Sequence, residues 1–123
     1  MTAGSSNVPG QVGRLPLTGI RVLDFSTLVP GPLATLLLAE AGASVIKVER
    51  PGAGDELRRF EPKLGDASAV YAMLNRGKRV VAADLKQPGP AARVRELARD
   101  ADVIVEQFRP GVASRLGIGS DDV

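Results

Sequence analysis

Ile20, Val22, Leu23 and Phe25 form a short, partly β-branched apolar run, which predicts a strand covered on both faces, as in a parallel sheet. Pro30-Gly31-Pro32 breaks that run. Leu33 to Ala41 is then rich in strong helix formers, with Pro32 admissible in the first turn and Gly42 as the stop. Ser44 to Glu49 predicts the next strand. A strand, a crossover helix and a strand in this order make a right-handed βαβ unit, whose ligands lie beyond the carboxyl ends of the strands. Those ends are Ser26 to Gly31 and Glu49 to Gly54, so function is expected there.

The pattern then loosens. Arg50 to Ser68 is rich in Gly, Pro and charge and predicts a long irregular connection, of the kind more often functional than idle. Ala69 to Asn75 predicts a short helix or irregular turn, and Arg79 to Asp84 a third strand with Asp84 at its carboxyl end. Pro88 to Asp100 predicts a helix on which Ala91, Val94, Leu97 and Ala98 share one face. Asp102 to Glu106 predicts a fourth strand, and Pro110 to about Leu116 a short helix ended by Gly117-Ile118-Gly119. Ser120-Asp121-Asp122 reads as the N-cap of a further helix. The chain stops at Val123, which reads as a longer natural chain cut short or as a remnant gene product. Alternation of strand and helix with no internal repeat gives an α/β fold with a parallel sheet.

Composition narrows the function. A chain of 123 residues suffices for one domain with one core, and 44% hydrophobic with 24% charged residues is ordinary for a globular protein, not a disordered or membrane one. Residues 1–16 mix Gly, Ser, Pro and polar residues without a continuous apolar stretch, so a flexible leader is expected and a signal peptide is not. Leu33 to Ala41 falls well short of the about 20 residues that span a bilayer, and a cytoplasmic location is the expectation. The pI is about 9.4, but the net charge is only +2, the arginines are scattered and aromatics are few, which favours a small anionic ligand over nucleic acid. No Cys and no His are present, which rules out disulfides, thiol chemistry and a Ser-His-Asp triad within the chain, and no metal site is expected.

Arg50, Arg58, Arg59, Arg76, Lys78, Arg79, Arg109 and Arg115 fall in loops or at element ends. Guanidinium groups bind phosphate bidentately and stack on purines, so together these cations suit a nucleotide-bearing ligand; singly, each reads as a solvated surface charge. Neither G-x-G-x-x-G nor G-x-x-x-x-G-K-[ST] occurs, which counts against a nicotinamide dehydrogenase or P-loop kinase. Asp24, Asp55, Asp84 and Glu106 are placed to face a site, but no spacing pairs them for catalysis; caps and ion pairs are the commoner use of such acids.

Three stretches, LTGIRVLDFSTLVPGPLATLLLAEAGASVIKVERPGAGD, LNRGKRVVAADLK and ADVIVEQFRPGVASRLGIG, stand in the order found in the class III coenzyme A transferases, the carnitine dehydratase and bile-acid-inducible type that includes α-methylacyl-CoA racemase. The chain resembles that family from about Leu17 to Val123. The resemblance implies a Rossmann-like CoA-binding domain over residues 17–123, the N-terminal portion of a longer subunit, two of which interlock as a homodimer. Arg50 resembles the family's arginine beside the CoA adenine and phosphates, and Ala83 matches a backbone contact to the nucleotide. Gln107, Phe108 and Arg109 occupy the segment that lines CoA, where the family usually has Asn-Phe. Arg115 matches another arginine near the phosphates, and Leu28 and Val29 match the first loop, close to the thioester; Val29 stands where some transferases carry Gln.

The resemblance further implies acyl-CoA and carboxylate substrates, coenzyme A as substrate with no tightly bound cofactor, and neither nucleic acid nor membrane as partner. Transferases of this family use an aspartate nucleophile and the racemase a His and Asp pair. Both sets lie beyond residue 123, so no catalytic residue is expected here and the chain alone is expected to be inactive. The alternatives are a portion of an α-methylacyl-CoA racemase, a non-catalytic CoA- or nucleotide-binding module, and a truncated product that aggregates through exposed sheet.

Overall fold

The computed structural model describes residues 14–123. Most of the expected leader, residues 1–13, lies outside the described residues. Its last positions enter a turn in which Thr18 N–H donates to Leu15 O at 3.0 Å, and Leu17 N–H reaches Ala41 O at 2.8 Å.

The first strand, β1 (Arg21–Asp24), leads into helix α1 (Pro30–Glu40) and strand β2 (Ser44–Glu49). Pro30 and Pro32 occupy the first turn of α1, where no intrahelical N–H is needed. Gly42 lets the chain leave the helix at φ 109°, a region costly to any residue with a Cβ. A 3-10 helix (Glu56–Arg59) and a small hairpin of β3 (Lys63–Leu64) and β4 (Ala67–Ser68) follow, then α2 (Ala69–Asn75) and β5 (Arg79–Ala82). Helix α3 (Pro88–Asp100), strand β6 (Val103–Val105) and α4 (Val112–Arg115) complete the chain. The Arg50–Ser68 stretch, expected to be irregular, is therefore partly organised. Asp55 caps the 3-10 helix by accepting from Leu57 N–H at 2.9 Å, and Ser68 caps α2 through its bond from Tyr71 N–H at 3.3 Å. At the Ser120-Asp121-Asp122 stretch, Asp122 closes a turn, accepting from Gly119 N–H at 2.9 Å.

The main sheet runs β5-β2-β1-β6, and every pairing in it is parallel. The chain moves outward from β1 through β2 to β5, then returns across the sheet by α3 to place β6 on the other side of β1. The order in which strands are added thus switches side at β1, between β1 and β6, the point where open α/β sheets leave a crevice.

Period-two alternation divides the core. Leu23, Phe25 and Val48 face a cluster with Val94 and Ala98 of α3 and with Ile118, while Val22 and Val45 face the α1 side with Leu38 and Ala39. By the same alternation Asp24, Lys47 and Glu49 continue the α1 face toward the carboxyl edge, and they are 0%, 0% and 4% exposed. That face is therefore apolar at its amino end and ionic at the end where the site lies. Ala91, Val94 and Ala98 are buried as their spacing predicts. Among the described residues no helix is long and apolar enough to cross a membrane.

Candidate functional site

A cleft of about 400 Å³ opens at the carboxyl edge of the sheet. Phe25 and Thr27 reach it from the end of β1, Val48 to Arg50 from β2, Ala83 to Lys86 from β5, and Gln107 with Phe108 from β6. Its floor is aromatic and aliphatic, with the Phe25 and Phe108 rings 6.0 Å apart between centroids. Charged groups rim it. Arg50 and Lys86 are exposed cations and Glu56 and Asp84 supply carboxylates, while the Glu49 and Asp55 side chains are buried below them. Gln107 Nε2 donates to Thr27 Oγ1 at 3.1 Å and so ties the β1 and β6 walls together.

Beneath this rim lies a chain of buried charges. Lys47 Nζ meets Asp55 Oδ2 at 2.6 Å with both side chains fully buried, and also donates to Ser26 O at 3.2 Å. Asp24 accepts from Ser26 N–H at 2.8 Å, from the Ser26 hydroxyl, and from Thr35 Oγ1 at 2.6 Å, with Lys78 Nζ at 3.4 Å. Glu49 binds Arg58 bidentately, at 2.7 Å to Nε and 3.0 Å to Nη2, accepts from the Tyr71 hydroxyl, and takes Asp55 N–H at 3.0 Å. The Arg58 guanidinium stacks 4.0 Å from the Tyr71 ring centroid. Gly54 is required here, since a Cβ at that position would lie 2.3 Å from Glu49 Oε1 and its φ is 65°.

Burial alone would raise the Glu49 carboxyl, but hydrogen bonds from Arg58, Tyr71 and Asp55 N–H outweigh it and hold the group below its ordinary 4.5. The Tyr71 phenol is pushed up, by burial first and then by the Glu49 carboxylate it donates to. The Lys78 ammonium is pushed down, because burial outweighs the attraction of Asp24. A carboxyl depressed in the folded state stabilises the protein above its unfolded value, and that stabilisation is lost as pH falls through the folded value. The stability gap between the native chain and Glu49→Gln is therefore expected to be widest near neutrality and to shrink as pH falls below 4.5. Urea unfolding of both proteins at pH 7 and pH 3 checks this; a constant gap would refute it.

The sequence candidates separate into distinct groups. Arg50, Ala83, Gln107 and Phe108 line the cleft together. Leu28 and Val29 sit just outside that lining, on the β1–α1 turn. Arg109 and Arg115 are exposed on the segment after β6, and a Cβ on Gly111 would lie 3.5 Å from Arg115 Nη1. The eight cations do not assemble into one set. Arg58 is engaged by Glu49, Arg76 by Glu40 and Lys78 by Asp24, while Arg79 lines a smaller cleft with Arg21 and Asp100. Of the four acids, Asp24 and Asp55 are fully buried in the ionic layer, Asp84 lines the cleft and accepts from Lys86 N–H at 3.0 Å, and Glu106 accepts from Phe108 N–H at 2.7 Å. Sequence reasoning missed Lys47, Thr35 and Tyr71. A lysine inside the otherwise apolar run of β2 was the available signal for the first of these.

A parallel sheet with flanking helices, and a cleft of apolar floor and mixed-charge rim at its carboxyl edge, defines an α/β fold. The description of the family model that matches residues 17–123 is CoA-transferase family III, and the chain belongs to that family. It is 43% identical over 109 residues to human succinyl-CoA:glutarate CoA-transferase, covering 88% of this chain and 25% of that protein. It is 41% identical over 108 residues to acetyl-CoA:oxalate CoA-transferase of Acetobacter aceti, covering 88% of this chain and 28% of that one. The chain thus spans about a quarter of the length of the curated relatives it matches. Among solved structures, a CAIB/BAIF family protein from Brucella suis superposes with a TM-score of 0.82 at 32% identity, over 89% of this chain and 30% of that one. A hypothetical protein from Mycobacterium tuberculosis gives 0.79 at 44% identity, over 88% and 30%.

Proposed function

We propose that this chain is the N-terminal, CoA-binding portion of a CoA transferase that moves CoA between an acyl-CoA and a carboxylic acid. The observation that carries this reading is the convergence of Arg50, Ala83, Gln107 and Phe108 on one cleft, because these are four of the eight positions at which the chain resembles its family's CoA contacts. The exposed Arg50 guanidinium can pair with a phosphate bidentately or stack on the adenine, and Lys86 adds a second cation on the same rim. Ala83 N–H already donates to Glu49 O at 2.9 Å, so a nucleotide contact at Ala83 falls to its carbonyl. The relatives are named for succinyl, acetyl or formyl donors and for glutarate or oxalate, and what they share is exchange of CoA between a thioester and an acid.

Such exchange needs a carboxylate free to attack a thioester. Asp24 and Asp55 are closed to that role, since both are buried and each of their oxygens is engaged. Binding is the contribution proposed for this chain, with the attacking carboxylate lying beyond residue 123 as the resemblance implies, and the interlocked homodimer of a longer subunit belongs to the same proposal. Calorimetry on the 123-residue chain with CoA, ATP and NAD tests it. CoA is expected to bind tightest, and Arg50→Ala to weaken it by about tenfold, the equivalent of about 1.4 kcal/mol for a lost charge-assisted phosphate contact. Preference for NAD, or an Arg50→Ala variant that binds CoA like the native chain, would overturn the reading.

A further inference from the structure

Leu28 holds φ at 63°, and it is the one non-glycine residue with positive φ among those described. A leucine in the left-handed region is strained, and such strain persists only where the surroundings over-determine it. What holds Leu28 comes from a distant segment. Its N–H donates at 3.0 Å to Asp55 Oδ1, an oxygen that also takes Leu57 N–H at 2.9 Å and so begins the 3-10 helix. The other oxygen of Asp55 meets Lys47 Nζ at 2.6 Å, and that same ammonium reaches back to Ser26 O at 3.2 Å on the turn that carries Leu28. Its remaining side faces the Tyr71 ring, 5.6 Å from the centroid.

Both loops joined in this way are walls of the cleft, which Thr27 bounds on one side and Gly54 to Glu56 on the other. A fully buried ion pair is a weak source of stability compared with apolar residues of the same volume, so stability does not account for this one. Its directional bonds to two loops do. We propose that Lys47 and Asp55 are a positioning pair, which holds the β1–α1 turn in its strained form and thereby fixes the spacing between the two walls of the cleft. The identity of what is positioned, a CoA ligand, rests on the reading proposed above.

Single substitutions would strand a buried charge, so two neutral double variants of the 123-residue chain separate the possibilities. Lys47→Met with Asp55→Asn keeps a side-chain carbonyl for Leu28 N–H; Lys47→Met with Asp55→Leu removes it. Amide hydrogen exchange followed by NMR, together with CoA calorimetry, reads both. The asparagine variant is expected to keep Leu28 protected and to bind CoA like the native chain. The leucine variant is expected to lose protection at Leu28 while β1 and β2 stay protected, to lose about tenfold in CoA affinity, and to regain part of it when Leu28→Gly removes the strain. The proposal is overturned if the leucine variant keeps Leu28 protected, if protection falls across the whole sheet, or if Leu28 is released without any change in CoA affinity. Should the native chain bind no CoA, the CoA reading falls, and exchange alone decides for the pair: selective release of Leu28 upholds it and unchanged protection refutes it.

Discussion

Replacing Asp24 by alanine is expected to destabilise the fold by about 3–5 kcal/mol, the usual cost of breaking a buried ion pair from one side. Asp24 is 0% exposed, and four donors from three segments converge on it: two from Ser26, the Thr35 hydroxyl of α1 and the Lys78 ammonium that precedes β5. Alanine leaves each donor buried without this acceptor, although Lys78 keeps Pro32 O and Asn75 Oδ1, both at 2.9 Å. The loss is a large share of the about 5–15 kcal/mol that holds a typical domain. It should also depend on pH. The Lys78 ammonium is already pushed down by burial, and removing the carboxylate that opposes that push lowers it further. The unfolded chain then binds the proton more tightly than the folded one, so the deficit of Asp24→Ala should shrink as pH rises from neutrality toward 10.5. Urea midpoints at pH 7 and pH 9.5 measure both effects, and a cost below about 1 kcal/mol would show the ionic layer to be dispensable.

Gly31→Ala is expected to cost about 3 kcal/mol, at the upper end for overpacking. A Cβ at Gly31 would stand 2.1 Å from Ser26 Cβ and 2.3 Å from Ser26 Oγ, where carbon atoms normally approach to about 3.5–4.0 Å. Ser26 cannot yield, because Asp24 holds both its N–H and its hydroxyl, so the start of α1 must move outward. The chain contains its own control. Pro88-Gly89-Pro90 opens α3 with the same tripeptide that opens α1, yet a Cβ on Gly89 meets nothing nearer than Arg93 Nη1 at 4.0 Å. Gly89→Ala therefore reports the backbone consequences of the substitution alone. The difference between the two thermal midpoints isolates the contact with Ser26, and equal shifts would refute the steric account.

The elements with strong local signals were legible in the sequence. Helix spacing at Ala91, Val94 and Ala98 and the Pro start gave α3 its observed bounds of Pro88–Asp100, and β2 appears at Ser44–Glu49 as its apolar run implies. The Arg50–Ser68 stretch was not legible, because a four-residue 3-10 helix and two-residue strands are too short to show any period. The cleft edge followed from topology, but the fate of each cation did not. Arg50 and Arg58 look alike as loop arginines and both are exposed, but the turn at Gly54, which brings Asp55 N–H and Arg58 back onto Glu49, ties Arg58 into an ion pair while Arg50 lines the cleft. Lys47 likewise reads as a polar break in a strand, and its partner lies eight residues on, beyond a connection whose path the residues do not encode locally.

The strand order has a consequence for the sequence of events in folding. The β1–α1–β2 unit is contiguous, so its contacts close over short loops. By contrast, β6 joins β1 from a separation of 81 residues, through Asp102 N–H to Arg21 O at 2.8 Å and Phe25 N–H to Val105 O at 2.8 Å. The Gln107 and Phe108 wall can take its place only after that long-range closure, while the Arg50 wall belongs to the early unit. In a chain that emerges from its N-terminus, the Arg50 wall is therefore available before the Gln107 and Phe108 wall that completes the cleft.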